Sequence, residues 1–383
     1  MAFIICGYGF FKTNISCLLG QLYSENNNDR DSAFILLYLG GNIGGIIAPI
    51  IVGYISYYYG WHAGFSVAGV GMLLGFIIYI TGSRYIPDNS CKNIFTQKSI
   101  FKGFIVFSSI VFVLVTSYIL LTKMIVGYII SIVTLTTLCI LTYIWVKGSK
   151  ELKGNLNFIF LLMLFAVVFW IFDQQTGSSI VTFIARNVNR NIFGVSIPAS
   201  VFSAINPLAV LIGGVLVAFI FSKCKAQNRI IDMVKFFIGL LMLTLSFLLL
   251  YLGAKMASLS GHSSAVWVII GLTVLGFAEL FIDPLALSQI TSMNSSNTGF
   301  IAASYMLFSG SVANYLAAKI ADLSSSNMVA NQVLSPIDQA KLYEHLFYNI
   351  LIFTIFICAF WVLCCLLMNK KIIFKERGMK LVK

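Results

Sequence analysis

An all-α membrane protein, a bundle of eleven spanning helices, is the fold class that the sequence predicts, and three observations predict it. Hydrophobic residues make up 59% of the 383-residue chain and charged residues only 10%, against about 25% charged in a soluble domain. Mean hydropathy is +0.93. Apolar runs of bilayer-crossing length recur along the whole chain, whereas the strands of a membrane barrel are shorter and alternate. The net charge of +12 does not call for nucleic acid. The Lys and Arg residues lie between apolar runs and in the tail, where the positive-inside rule puts them.

The runs fall at 2–23, 32–55, 62–82, 101–121, 125–146, 156–177, 199–221, 231–253, 266–290, 298–318 and 345–368. Placing the tail in the cytoplasm and alternating backwards leaves 18 of the 25 Lys and Arg on the cytoplasmic side and six opposite, with Lys12 inside the first run. The segments 101–121 and 125–146 are rich in β-branched residues and poor in charge, and read as a lipid-facing inserted hairpin. Without them nine spans remain, three short of two six-helix bundles built from inverted triplets. An odd number of spans also puts Met1 outside, so the expectation is a chain that lacks helices at its N-terminus. The expected division is then a remnant N-terminal bundle (1–82), a cytoplasmic linker carrying the hairpin (83–155), a C-terminal six-helix bundle (156–368) and a basic tail (369–383).

Chemistry concentrates in Leu272 to Ile290, LTVLGFAELFIDPLALSQI. Glu279 and Asp283 lie one helical turn apart, and an acid near the centre of a membrane helix costs about 2.5–3.5 kcal/mol. Such acids usually face a wet cavity, and two on one face favour sharing a proton. Asp283-Pro284 also carries a helix-start signature, so the run reads as a broken helix. The plainer alternative is that Asp283 only caps the second half-helix and Glu279 is paired structurally.

Four other stretches carry polar groups at membrane depth. In CGYGFFKTNIS, Lys12 lies about 17 Å along the helix from Met1, too deep to snorkel easily, so it needs a partner acid or a substrate carboxylate. In FILLYLGGNIGGIIAP, Tyr38 and Asn42 share a glycine-lined face suited to a peptide-like ligand or to helix–helix hydrogen bonding. The run 156–177 ends FWIFDQQTGSS, with Trp170 and the acid Asp173 near its expected outer end. Asn206-Pro207 marks a kink in 199–221. Ser304, Tyr305, Ser309 and Asn314 punctuate 298–318 and read mainly as packing residues. The eight Cys show no metal spacing, and His62, His262 and His345 lie far apart. No nucleophile–base set appears, so neither an enzyme nor a cofactor is expected.

GYGFFKTNIS, DRDSAFILLYLGGNIG, GWHAGF, FWIFDQQTGSS, INPL and ELFIDPLALS occur in that order. The ordered set resembles the proton-dependent oligopeptide transporter family of the major facilitator superfamily, with the first helix here matching the family's fourth. The resemblance implies a major facilitator-type bundle, in a bacterial inner membrane with a cytoplasmic C-terminus, that imports di- and tripeptides by proton-driven alternating access. The implied partners are those peptides, protons and the bilayer; the proton gradient replaces any cofactor, and a monomer suffices. It implies that Lys12 helps hold the peptide carboxylate and couples to protons, and that Tyr38, Asn42 and Trp170 line the cavity. Asn206 and Glu279 match positions that hold the peptide's amino end. Glu279, Asp173 and Asp283 join Lys12 as proton-coupling candidates.

Three departures stand beside the match. Either Asp173 or Gln174 fills the seventh-helix acid position. Asp283 replaces the Ser usual before the tenth-helix Pro. The family's first-helix acids and Arg are missing, so an inactive membrane remnant of such a transporter is the alternative expectation.

Overall fold

The structure, a computed structural model, describes residues 7, 15, 29–82, 100–122, 125–192, 194–223, 229–293, 297–326 and 335–380. Among the described residues, nine helices are long and apolar enough to cross a membrane. The first predicted run lies outside these residues except for Gly7 and Ile15. Two compact units divide the chain: Met1–Gly41 with Tyr59–Val133, and Asn42–Tyr58 with Thr134–Lys383.

Helices α1 (Asp29–Tyr59) and α2 (Trp61–Gly82) are separated by Gly60, whose φ of +86° a residue with a Cβ would resist. Helices α3 (Ile100–Thr122) and α4 (Val126–Lys147) correspond to the predicted hairpin. Their large apolar side chains, Phe107, Phe112, Tyr118 and Ile132 among them, are exposed, as membrane-facing helices require. Leu141 and Ile144 near the end of α4 turn into the core of the second unit, and Trp145 Nε1 donates to Asn157 Oδ1 at 2.8 Å.

That core is built from helices α5 (Lys150–Asp173), α6 (Ser179–Asn187), α7 (Ile205–Lys223), α8 (Arg229–Ser260), α9 (Ala265–Thr291), α10 (Thr298–Met306), α11 (Ala313–Ser326) and α12 (Pro336–Lys380). Aromatic rings fill one end of it. Trp361 stacks on Phe236 at 4.6 Å, meets Phe165 edge-on at 4.9 Å and donates its indole N–H to Met233 O. Small residues let backbones close in elsewhere. Ser246 donates to Gly271 O at 2.8 Å, which joins α8 to α9. Short strands β1 (Val188–Asn189) and β4 (Ser263–Ser264) pair in parallel, while β2 (Asn191–Ile192) and β3 (Val195–Ser196) form a hairpin over Gly194.

Two sequence expectations are corrected. The run at Asp283-Pro284 is not broken: α9 continues as one helix from Ala265 to Thr291 with Pro284 inside it. Asp283 caps nothing, because its carboxylate is held by side chains from other helices. The break falls instead after Asp173, where α5 passes into a 3-10 turn, Gln174–Gly177, and then into α6. There Thr176 bonds Asp173 O at 2.7 Å and Ser178 reaches Gln174 O at 3.4 Å, so hydroxyls compete for the helix carbonyls. The apolar run is therefore 36 residues, Leu152–Asn187. Asp173, the last residue of α5, lies inside this run.

Gly276 sets how closely α9 approaches α7. A Cβ there would lie 2.6 Å from Asn206 O and 2.9 Å from Ala209 Cβ. We expect Gly276→Ala to cost about 1–3 kcal/mol through this overpacking. Thermal unfolding in detergent should show a lowered midpoint, whereas Gly69→Ala, which meets nothing within 4 Å, should leave it in place.

Candidate functional site

Three carboxyl groups meet inside the second unit. Asp173 comes from the end of α5, and Glu279 and Asp283 stand four apart on one face of α9. Asp173 is only 7% exposed. Each acid lies within electrostatic reach of another: Asp173 of Asp283, and Glu279 of both. None forms an ion pair with a Lys or Arg among the described residues.

The protein holds the three acids differently. Asp173 accepts a hydrogen bond from Asn206 Nδ2 at 3.3 Å. Asn206 is placed for this by a local change of helix type. A 3-10 turn, Ala199–Ala204, runs into α7, and Pro207 occupies the first turn, where its missing N–H costs least. Asp283 is gripped from two other helices. Trp170 Nε1 donates to its Oδ1 at 2.9 Å, and Tyr305 Oη donates to the same oxygen. Glu279 has no hydrogen-bond donor among the described residues. One carboxylate is thus fixed by two donors, one by a single amide, and one is left for another partner.

Five predicted site residues, Trp170, Asp173, Asn206, Glu279 and Asp283, are brought together. Asp173 rather than Gln174 is the α5 residue that joins the acids. Asn42 lies on α1 in the same unit, one turn before Gly45, and a Cβ on Gly45 would touch Pro207 at 3.3 Å. That places its helix face beside the start of α7. Tyr38 falls in the other unit, and its side chain lies outside the described residues, as does Lys12 altogether.

Sequence reading missed two contributors. Tyr305, which the sequence reads as a packing residue, closes on Asp283; its buried phenol needs a partner for its hydroxyl. Gln175 is fully buried, donates to Ala317 O at 3.1 Å and accepts from Ser179 at 2.7 Å. It pins the broken α5–α6 junction to α11.

A π-helical turn, Leu307–Val312, separates α10 from α11 two residues after Tyr305. Such turns widen a helix by one residue and are common at functional sites.

The chain matches PTR2, described as the POT family, over residues 1–337. It is 30% identical over 376 residues to "Dipeptide and tripeptide permease A" of Cronobacter turicensis, covering 97% of this chain and 73% of that protein. The permease of the same name from Klebsiella pneumoniae is likewise 30% identical, with the same coverage. Among solved structures, tetrameric PepTSo2 superposes with a TM-score of 0.77 at 23% identity, over 96% of this chain and 77% of that one. A POT family transporter in complex with 5-aminolevulinic acid gives 0.71 at 23% identity, over 94% and 74%. At these identities the superpositions establish the fold, and they agree with the bundle described above. The family match, spanning most of the chain, together with the spanning helices, makes this integral membrane protein a member of the POT family.

Proposed function

We propose that the protein is a proton-coupled transporter importing di- and tripeptides by alternating access. The observation that carries this reading is the meeting of Asp173, Glu279 and Asp283 inside an apolar bundle with no basic side chain paired to them among the described residues. Charge placed at such cost favours a cationic ligand group or a proton. The similar permeases are named for dipeptides and tripeptides, which supports that substrate class.

Glu279, without a donor among the described residues, attracts the peptide's ammonium, and Asn206 adds a hydrogen bond beside it. The family resemblance assigns the carboxylate to Lys12 and the peptide's backbone to Tyr38 and Asn42. Fixing both ends by charge lets side chains vary, which suits a carrier of many short peptides. Repulsion among the three acids eases when one of them takes a proton, and that exchange couples ligand release to the proton gradient. The Lys and Arg asymmetry supports a cytoplasmic C-terminus.

Three experiments test this reading. In proteoliposomes, the wild-type chain should accumulate labelled dialanine when the outside is more acidic than the inside. Glu279→Gln should lose at least about thirtyfold in dialanine affinity, the lower range for a lost buried charge contact; uptake equal to wild type would reject the assignment. Asp173→Asn keeps the contact geometry with Asn206 and removes a titrating group. It should retain exchange of dialanine across the membrane but lose pH-driven accumulation, and full accumulation would remove Asp173 from the coupling step.

A further inference from the structure

Asp283 sits where two helices are locally weak. Pro284 removes from α9 the N–H that would bond Leu280 O. The chain after Tyr305 enters the π turn, where the Ala313 N–H is shared between Phe308 O and Gly310 O. Side chains make up bonds on either side: Ser309 donates to Tyr305 O at 2.9 Å, and Asn314 donates to Gly310 O at 2.9 Å. Beyond these points both helices are anchored. α9 is held at Gly271 by Ser246 and at Gln289 by Asp232, at 2.8 Å and 2.9 Å. α11 is held at Ala317 by Gln175, at 3.1 Å. Between the anchors, the Asp283 carboxylate joins α9 to α10 through Tyr305 and to α5 through Trp170.

We propose that Asp283 is a positioning residue: a latch that holds α9 at Pro284 and the α10–α11 π turn in one arrangement, and whose release accompanies the conformational step of transport. The inference rests on the transporter reading above and adds a division of labour to it. Glu279, without a donor among the described residues, meets the ligand. Asp283, with its Oδ1 occupied by two donors, meets the protein. Bistable packing around a few weak backbone points is how small local changes become helix movements. The polar atoms involved are half-buried or buried, so the contact gains strength from its apolar surroundings.

The test uses the full chain in detergent and in proteoliposomes. Tyr305→Phe keeps the ring and deletes the donor. Asp283→Ala deletes the acceptor, whereas Asp283→Asn keeps an accepting oxygen. Without any peptide present, hydrogen exchange at the Leu307–Val312 amides should quicken about tenfold or more in Tyr305→Phe and Asp283→Ala, the factor one charge-assisted hydrogen bond carries. Asp283→Asn should fall between these and wild type. For dialanine uptake, Tyr305→Phe, which leaves all three acids in place, should change the maximal rate and leave KM within about twofold, since only the conformational step is touched. Gly310→Ala meets nothing within 4 Å and touches no site residue, so it keeps the fold while stiffening the π turn; it too should alter the maximal rate alone. Unchanged exchange in both loosened variants overturns the latch. A raised KM in Tyr305→Phe overturns it as well, by making the Tyr305–Asp283 contact part of the ligand site. Failure of the wild type to take up dialanine would reject the transporter reading, while the exchange measurement still decides the latch.

Discussion

Burying three carboxyl groups in an apolar bundle is the constraint that the rest of this unit answers. Each group costs free energy that only donors, cations or protons offset. The bundle supplies donors from three directions: Asn206 from α7, Trp170 from α5 and Tyr305 from the end of α10. Bringing those side chains within reach requires close backbones, and Gly276 is where α9 and α7 close to contact distance. The aromatic packing around Trp361 and Phe236 holds α8 and α12 behind them. The acids thus dictate which helices are neighbours, and the apolar core holds them there.

The same constraint accounts for where helices cease to be regular. Four irregularities lie beside site residues: the 3-10 turn after Asp173, the 3-10 turn before Asn206, Pro284 beside Asp283, and the π turn after Tyr305. In a bilayer, lipid-facing backbone must satisfy itself, so irregular segments are confined to protein-buried or water-lined positions. Side chains offset missing backbone bonds at two of them. Thr176 and Ser178 serve the first turn, and Ser309 and Asn314 serve the π turn. Polar residues that look scattered in the sequence therefore have two employments, binding partners for the acids and substitutes for helix hydrogen bonds.

The spanning helices were legible because a twenty-residue apolar run admits few other structures in a membrane. The acids were legible because their cost marks them wherever they fall. What sequence could not settle was which of two local signals a tertiary contact would override. Asp283-Pro284 reads equally as a helix start and as an interior proline. The interior form prevails because apolar packing continues on both sides of it and because Trp170 and Tyr305 offer the carboxylate better partners than free amides would. At Asp173 the opposite happened. The apolar run hid a break that combines local hydroxyl bonds of QQTGSS with a contact from Gln175 to Ala317, 142 residues further along the chain. Tyr305 was invisible for the same reason. Nothing near it in sequence announces a carboxylate 22 residues upstream.

Glu279 and Asp283 show how neighbours on one helix face are given different tasks by their surroundings. They lie a single turn apart, on the same apolar helix, with the same charge. Yet one oxygen of Asp283 is already occupied by an indole N–H and a phenol O–H, while Glu279 meets no donor among the described residues. A carboxylate whose needs are met internally gains little from a ligand and loses geometry if it moves. A carboxylate left unbonded gains most from a cation that arrives. Sequence spacing makes the pair equivalent; the side chains that reach Asp283 from α5 and α10, and do not reach Glu279, make it unequal.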